Sequence, residues 1–99
     1  MVIKRIVKSR NSLIKPPLSR QVKAGFVVLN KGEEVGEHST LNREELIIII
    51  KGQATVMLED ERKTVNQNFL VYIPPNKKHN IRNDFNKILK YMYVVSLLP

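Results

Sequence analysis

The side chains of this sequence that are able to bind a metal are histidines and carboxylates, because the chain contains no cysteine. His38 comes six positions after Gly32, and Glu45 follows seven positions later, at the start of a β-branched run that leads to Gly52. The second histidine, His79, follows a pair of prolines that closes a predicted strand. Without thiolates, any metal has to be held by imidazole nitrogens and carboxylate oxygens.

The strongest predicted element is the strand from Glu45 to Ile50, which positions that carboxylate. Side chains alternate along a strand, so Glu45, Ile47 and Ile49 share one face, while Leu46, Ile48 and Ile50 share the other. Both faces are apolar, which predicts cover on both sides: a barrel interior on one, and a sheet, a terminal segment or a second subunit on the other. An open isoleucine run invites aggregation, which favours burial in a homodimer.

Short apolar segments with turns between them complete the predicted fold. Strands are expected over residues 2–8, 21–29, 55–58, 63–65, 69–73 and 88–98, with a short one from Val35 that carries His38 and Thr40 on one face. Residues 9–19 are predicted to form a loop and residues 59–62 a turn. This pattern predicts an all-β sandwich or barrel. The candidates for its interior are Phe26, Val28, Met57, Tyr72 and Ile81.

Both histidine segments resemble the two motifs of the cupin superfamily of small double-sheet β-barrels. The first motif runs Gly, five residues, His-x-His, three or four residues, Glu, six residues, Gly; the second runs Gly, five residues, Pro-x-Gly, two residues, His, three residues, Asn. The matching positions are Gly32, His38, Glu45 and Gly52, and then Asn68, Pro74, Asn76, His79 and Asn83. Thr40 replaces the second histidine. Asparagines replace two glycines, which is a mild change because asparagine tolerates the left-handed backbone conformation.

The resemblance implies a single-domain double-stranded β-helix, or jelly-roll barrel, over residues 1–99. Its core would span about residues 20–99, and residues 1–19 would form a basic N-terminal strand or arm. The resemblance also implies that His38, Glu45 and His79 converge near the barrel mouth as ligands of a divalent transition metal. Iron, manganese, zinc and nickel all accept these ligands, and a barrel without metal is the alternative. Candidates for the surrounding pocket are Thr40, Tyr72, Ile81, Tyr91 and Tyr93.

The formal net charge of +8 belongs to the N-terminal third of the chain. Residues 1–32 carry eight basic residues and no acid, whereas residues 33–99 carry nine of each. A basic surface attracts nucleic acid or anionic small molecules, but lysines also guard edge strands against aggregation. The second interpretation is favoured, since no helix-turn-helix pattern accompanies the charge, and no nucleic-acid partner is expected. Arg43 and Arg82 are candidates either for contact with an anionic substrate or for exposed rim charges.

Three function classes stay open at this point. They are a metal-dependent enzyme for small molecules, a non-catalytic module that binds a sugar or organic acid, and a metal-free dimerising or nucleic-acid-associated barrel. Besides the ligands, only tyrosines offer acid or base groups, so the favoured description is a metal-binding cupin of unassigned activity that binds or acts on a small molecule. No apolar run has the length of a signal peptide or membrane helix, which predicts a cytoplasmic protein without a membrane partner.

Overall fold

The fold consists of two antiparallel β-sheets. This computed structural model describes residues 1–6 and 11–98, and the regular elements within those ranges are all strands. They are β1 Asn11–Ile14, β2 Val22–Leu29, β3 His38–Ser39, β4 Arg43–Lys51, β5 Gln53–Leu58, β6 Glu61–Asn66, β7 Leu70–Ile73, β8 Lys78–Arg82 and β9 Leu89–Leu97. One sheet has the order β1-β2-β9-β4-β7 and the other β3-β8-β5-β6. The predicted all-β double-sheet barrel is confirmed. In the described part of the chain, no helical segment has the length and hydropathy needed to cross a membrane.

Strand β4 lies inside the five-stranded sheet, between β9 and β7. Its Ile47 and Ile49 are fully buried, and Glu45 on the same face is 8% exposed. Leu46 and Ile50, on the opposite face, are 37% and 40% exposed. Within the described residues of a single chain, the inner face is closed off and the outer face stays partly exposed. Of the three covers considered for the outer face, a second subunit is the one that a single chain does not test.

The main core lies between the two sheets and uses one face of β2, β4, β5, β7, β8 and β9. Its buried members are Val27, Leu29, Ile47, Ile49, Ala54, Val56, Ile73, Ile81, Leu89 and Tyr91. Of the five residues predicted to fill the interior, Ile81 is confirmed. Phe26 is also buried, at 4% exposed, but it lies outside the cluster between the sheets. The prediction is wrong for Val28, Met57 and Tyr72, which like Phe26 are each adjacent in sequence to a member of that cluster. Neighbouring side chains point to opposite faces, so an assignment that is wrong by one residue selects the wrong face of the strand.

The turns of both histidine segments have the backbone conformations that their residues favour. Asn68 and Asn76, which stand where the cupin motif has glycines, have φ angles of 73° and 62°. Gly52 has a φ of 85°, and a Cβ atom there would collide with the carbonyl oxygen of Ile88. The substitution of asparagine for glycine is thus accommodated, as predicted, because asparagine adopts the left-handed conformation more readily than other residues with a side chain.

Asn83 fixes the turn between β8 and β9. Its fully buried amide donates hydrogen bonds to the carbonyl oxygens of Leu29 and Lys87 and accepts one from the Phe85 N–H, each at 2.9 Å. The predicted role of Asn83 in a turn is confirmed. These bonds tie the end of β2 to the turn that follows β8.

The N-terminal segment differs from the prediction. Residues 2–6 form no strand, and residues 7 and 8 of the predicted strand lie outside the described residues. Within the predicted loop of residues 9–19, Asn11–Ile14 instead forms the edge strand β1, which pairs with β2. A short segment that is only half apolar is able to form such a strand because an edge strand pairs on one side only, so its composition gives a weak signal.

Two further boundaries are corrected. The strand predicted to start at Val35 is reduced to His38–Ser39, and Thr40 follows it. The turn predicted over residues 59–62 is shorter, because Glu61 and Arg62 belong to β6 and the chain reverses at Glu59, whose φ is 51°.

Candidate metal centre

His38, Glu45 and His79 come together at one end of the barrel. His38 on β3 pairs directly with His79 on β8, so the two rings are neighbours on the four-stranded sheet. Glu45 reaches them from β4 in the opposite sheet. One nitrogen or carboxylate oxygen of each residue lies within 4.8 Å of the others, which is the arrangement of three ligand atoms that a single cation is able to join.

Backbone carbonyl groups orient both imidazole rings. The Nδ1 of His38 lies 2.8 Å from the carbonyl oxygen of Gly36, and the Nδ1 of His79 lies 3.1 Å from that of Lys77. A carbonyl oxygen only accepts hydrogen bonds, so each Nδ1 carries the hydrogen and donates it. In the neutral ring the lone pair is then on Nε2, the atom that is free to bind a metal, and the hydrogen bond fixes the tautomer as in metal sites.

Burial, Glu45 and the Lys77 carbonyl group together set the pKa of His79. Burial of the ring opposes its charged form, but the nearby Glu45 carboxylate and the Lys77 carbonyl favour it more strongly and hold the pKa of His79 above its ordinary value of 6.5. The His79 Nε2 and the Glu45 Oε1 are 3.7 Å apart, which is too long for a hydrogen bond and short enough for attraction between charges. A proton and a divalent cation therefore compete for the same nitrogen.

The buried polar atoms of this end of the barrel fit a cation. His79 is 1% exposed and Glu45 8% exposed, and the Nε2 of His79 has no hydrogen-bond partner among the described residues. Buried polar groups in native proteins almost always have a partner, so this nitrogen indicates a missing one. Two imidazoles and one carboxylate suit a divalent first-row metal, and the rings lie close together, with centroids 4.2 Å apart.

Asn80 was not identified from the sequence, although it lies between His79 and Ile81. Its side-chain oxygen accepts a hydrogen bond of 2.9 Å from the Gly36 N–H. The carbonyl group of the same glycine orients the His38 ring. Asn80 is thus a positioning residue for His38, and its place in the sequence between two residues of the site gave no sign of this role.

A cavity of about 200 Å³ lies beside the candidate ligands. Of the residues predicted to surround a pocket, Thr40, Ile81, Tyr91 and Tyr93 line it, together with His38 and Glu45. Thr40 is 7% exposed, and its hydroxyl oxygen has no hydrogen-bond partner within the described ranges. The structure does not place Tyr72 there: its side chain is 51% exposed beside Leu46, on the opposite face of the sheet.

The two arginines near the motif ends have different surroundings. Arg43 lines the cavity. Arg82 instead donates two hydrogen bonds to Asp84, at 2.7 and 3.1 Å. The Arg82 guanidinium, and after it the Thr55 hydroxyl, hold the pKa of Asp84 below its ordinary range. Arg82 is therefore a partner of Asp84 rather than a free cation at the site.

Lys23 also lines the cavity and was not singled out in the sequence. It shares a strand face with Val27 and Leu29, which are both core residues, so alternation along β2 was the signal that could have identified it. That signal depends on knowing which face of β2 points inward.

A known protein-family model matches most of the barrel. Residues 25–95 match the family model for the cupin domain. The Methanocaldococcus jannaschii protein MJ0764 is 35% identical over 82 residues, which is 82% of this chain and 70% of that protein. A second protein of the same organism, MJ1618, is 28% identical over 81% of this chain and 66% of its own length.

Solved structures of cupin proteins have the same fold as this chain. The crystal structure of MJ0764, a cupin family protein with a double-stranded β-helix fold, matches with a TM-score of 0.77 and 31% identity over 97% of this chain and 86% of that one. The cupin domain of Schizosaccharomyces pombe Cnp3 has a TM-score of 0.81 at 17% identity and covers 89% of this chain, which spans 63% of the Cnp3 chain. Because the family match runs from β2 into β9 and a relative shares more than a third of the aligned residues, this chain belongs to the cupin superfamily.

Proposed function

We propose that this cupin holds one divalent transition metal through His38, Glu45 and His79 and binds or acts on a small molecule in the adjoining cavity. The metal would be iron, manganese, zinc or nickel, all of which accept imidazole and carboxylate ligands. When bound, such an ion supplies a Lewis acid that polarises a carbonyl group or lowers the pKa of a coordinated water. The contribution of the chain is to orient the ligands and to shape the cavity.

The observation that carries this proposal is the buried Nε2 of His79. It faces the Glu45 carboxylate at 3.7 Å, and its own ring hydrogen is already directed at the Lys77 carbonyl. The Nε2 lone pair of His79 therefore faces a Glu45 carboxylate oxygen, and no donor among the described residues lies between them. This is the arrangement of two metal ligands on opposite sides of a coordination site.

The test is metal analysis of protein that has been purified without a metal-affinity tag, followed by titration with Zn²⁺ or Mn²⁺ by calorimetry. The parent protein is expected to bind one ion per chain. His38→Ala and His79→Ala should each lose that ion, because two ligands hold a divalent metal far less tightly than three.

Glu45→Gln has a matched control on the same strand. Glu45→Gln should lose the metal. Glu44→Gln removes the same charge one residue away and should keep the metal, because Glu44 points to the opposite face of the strand. A parent protein that contains no metal as purified and takes up neither Zn²⁺ nor Mn²⁺ would contradict the proposal and favour the metal-free alternative.

We further propose that a second copy of the chain covers the outer apolar face, defined here as Leu46 and Ile48 of β4, Leu70 and Tyr72 of β7, and Met92 and Val94 of β9. The register places these residues in adjacent rows across the sheet. Glu44 lies at one end of this strip and Lys90 at the other. Two copies packed face to face with reversed strand directions would place each Glu44 opposite the other copy's Lys90, which satisfies the self-complementarity of a twofold interface.

The molar mass of the protein in solution, measured by light scattering during size exclusion, tests this interface. The parent protein is expected to be a dimer, and Leu46→Asp to be a monomer, because a carboxylate would be buried in an apolar interface. Leu41→Asp is the matched control, since Leu41 is 71% exposed in the loop before β4. A monomeric parent protein, or equal effects of the two variants, would contradict the proposal.

A further inference from the structure

We infer that the cavity beside His38 and Glu45 binds a small organic carboxylate, which Lys23 and Arg43 recognise together. This inference deepens the proposed function and rests on it for the contact between the ligand and a metal. The recognition of the carboxylate itself depends on residues outside the metal ligands.

The sheet register places both cations beside Glu45. Lys23 on β2 pairs with Val95 on β9, and Val95 pairs in turn with Glu45 on β4, so the three residues form one row across the sheet. Neighbouring strands are about 4.8 Å apart, which puts the Cα atoms of Lys23 and Glu45 roughly 10 Å apart. Arg43 precedes Glu45 by two residues on the same strand face, about 7 Å along β4. The cations therefore approach the candidate metal ligands from two directions.

The charges that line the cavity are unbalanced. Lys23 is half-buried and Arg43 is exposed at the cavity rim, and among the residues that the structure describes neither takes part in an ion pair. Among the described residues that line the cavity, Glu45 is the only carboxylate, so two cations and one anion leave one net positive charge even before a metal adds its own. A partly buried cation is stabilised by a counter-ion, and the position left for one is the cavity.

The other residues that line the cavity favour an organic anion as the ligand. Val27, Ile81 and Val95 present an apolar surface, which favours a ligand with a hydrocarbon part over an inorganic oxyanion. The Thr40 hydroxyl lines the same cavity, is buried and lacks a partner among the described residues, so it offers one further hydrogen bond. The volume of about 200 Å³ equals that of about seven water molecules. These features fit a compact carboxylate with a second oxygen-bearing group.

Malonate is a suitable probe, and malonamide is its neutral counterpart of nearly the same shape. Calorimetric titration of the zinc-loaded protein at fixed ionic strength should show binding of malonate and at least about tenfold weaker binding of malonamide, because the amide lacks the charge that the two cations attract. Amide chemical shifts in ¹⁵N-labelled protein provide a second measurement. Malonate is expected to shift the signals of Lys23, Thr40 and Arg43.

Substitutions of Lys23 and Arg43 test whether these two cations bind the malonate. Lys23→Gln and Arg43→Gln should each weaken malonate binding by at least about tenfold, since each removes a charged hydrogen bond. Lys23→Arg should restore most of it. Lys63→Gln removes the same charge from β6 in the other sheet and should leave the affinity unchanged. Thermal unfolding of each variant, measured in parallel, verifies that it is folded.

Three results would overturn the inference: equal affinity for malonate and malonamide, unchanged affinity in Lys23→Gln and Arg43→Gln, or tighter binding of inorganic phosphate than of malonate. The metal content of the same samples tests the proposed function separately. Metal uptake without malonate binding would overturn the carboxylate site alone. Malonate binding that depends on Lys23 and Arg43 in a chain that takes up no metal would support the carboxylate site and refute the metal centre.

Discussion

Asn80→Ala is predicted to weaken metal binding by about tenfold while the barrel stays folded. In the structure the Asn80 side chain accepts a hydrogen bond from the Gly36 N–H, and the Gly36 carbonyl group accepts one from the His38 ring. Alanine removes the first bond, so the glycine is no longer held against β8 and the carbonyl group that orients the ring becomes mobile.

The expected magnitude follows from what still holds His38 in place. Removal of one partly buried hydrogen bond costs about 1 kcal/mol, and loss of a group that orients a ligand costs about 10–100-fold in metal affinity. The lower end applies here, because His38 still pairs with His79 and the Val35 N–H still donates to the Ile81 carbonyl at 3.0 Å. Tenfold corresponds to about 1.4 kcal/mol of binding free energy.

Competition between the protein and a chelating indicator for Zn²⁺ measures this change directly. Asn80→Asp is the matched variant, since it keeps an oxygen that accepts the bond from Gly36, and it should bind zinc at least as tightly as the parent protein. Thermal unfolding without metal shows whether either variant disturbs the whole barrel. The reasoning is refuted if Asn80→Ala binds zinc with the parent affinity, or if Asn80→Asp loses as much affinity as Asn80→Ala.

Three further predictions concern the barrel. Asn83→Ala should lower the free energy of unfolding in urea by about 3 kcal/mol, because it removes the side-chain partner of one fully buried and two partly buried backbone groups. Asn86→Ala, at the exposed tip of the same turn, is the control and should change the free energy of unfolding by less than about 0.5 kcal/mol. Gly25→Ala should cost about 1–3 kcal/mol, because its Cβ would collide with the Tyr93 ring, and adding Tyr93→Ala should recover part of that loss. The ion pair of Asp84 lowers the pKa of its carboxyl group in the folded state, so its stabilisation is present above about pH 4 and is lost as the pH falls through the folded-state value. The urea midpoint of Asp84→Asn should therefore fall less steeply on acidification than that of the parent protein, and identical slopes would contradict the assignment.

Local features of the fold could be predicted from the sequence because they depend on neighbouring residues. The turns at Asn68 and Asn76 follow from the backbone preference of asparagine, and the strand from Glu45 follows from a β-branched run. The turn role of Asn83 belongs to the same class. In contrast, the short edge strand β1 was missed, since pairing with β2 rather than its own composition makes Asn11–Ile14 a strand.

The choice of strand face required the tertiary structure. Apolar residues occupy both faces of β2, so Phe26 and Val27 are equally good candidates for the core by composition. The packing of the two sheets places Val27 in the cluster between them and leaves Phe26, although buried, outside it. In the same way Ile73 joins that cluster and Tyr72 does not. This choice also decides that Lys23 points into the cavity, because alternation along β2 places Lys23 on the face of Val27 and Leu29 without showing that this face is the inner one.

The sequence by itself determined which side chains are able to bind a metal and which turns precede them, since both depend on residue type and on spacing along the chain. It did not determine that His38 lies directly opposite His79, nor that Glu45 reaches both rings from the other sheet. Those contacts join segments far apart in the chain, and strand pairing and sheet packing create them. In the same way, Lys23 stands in one row with Glu45 only because β9 lies between β2 and β4.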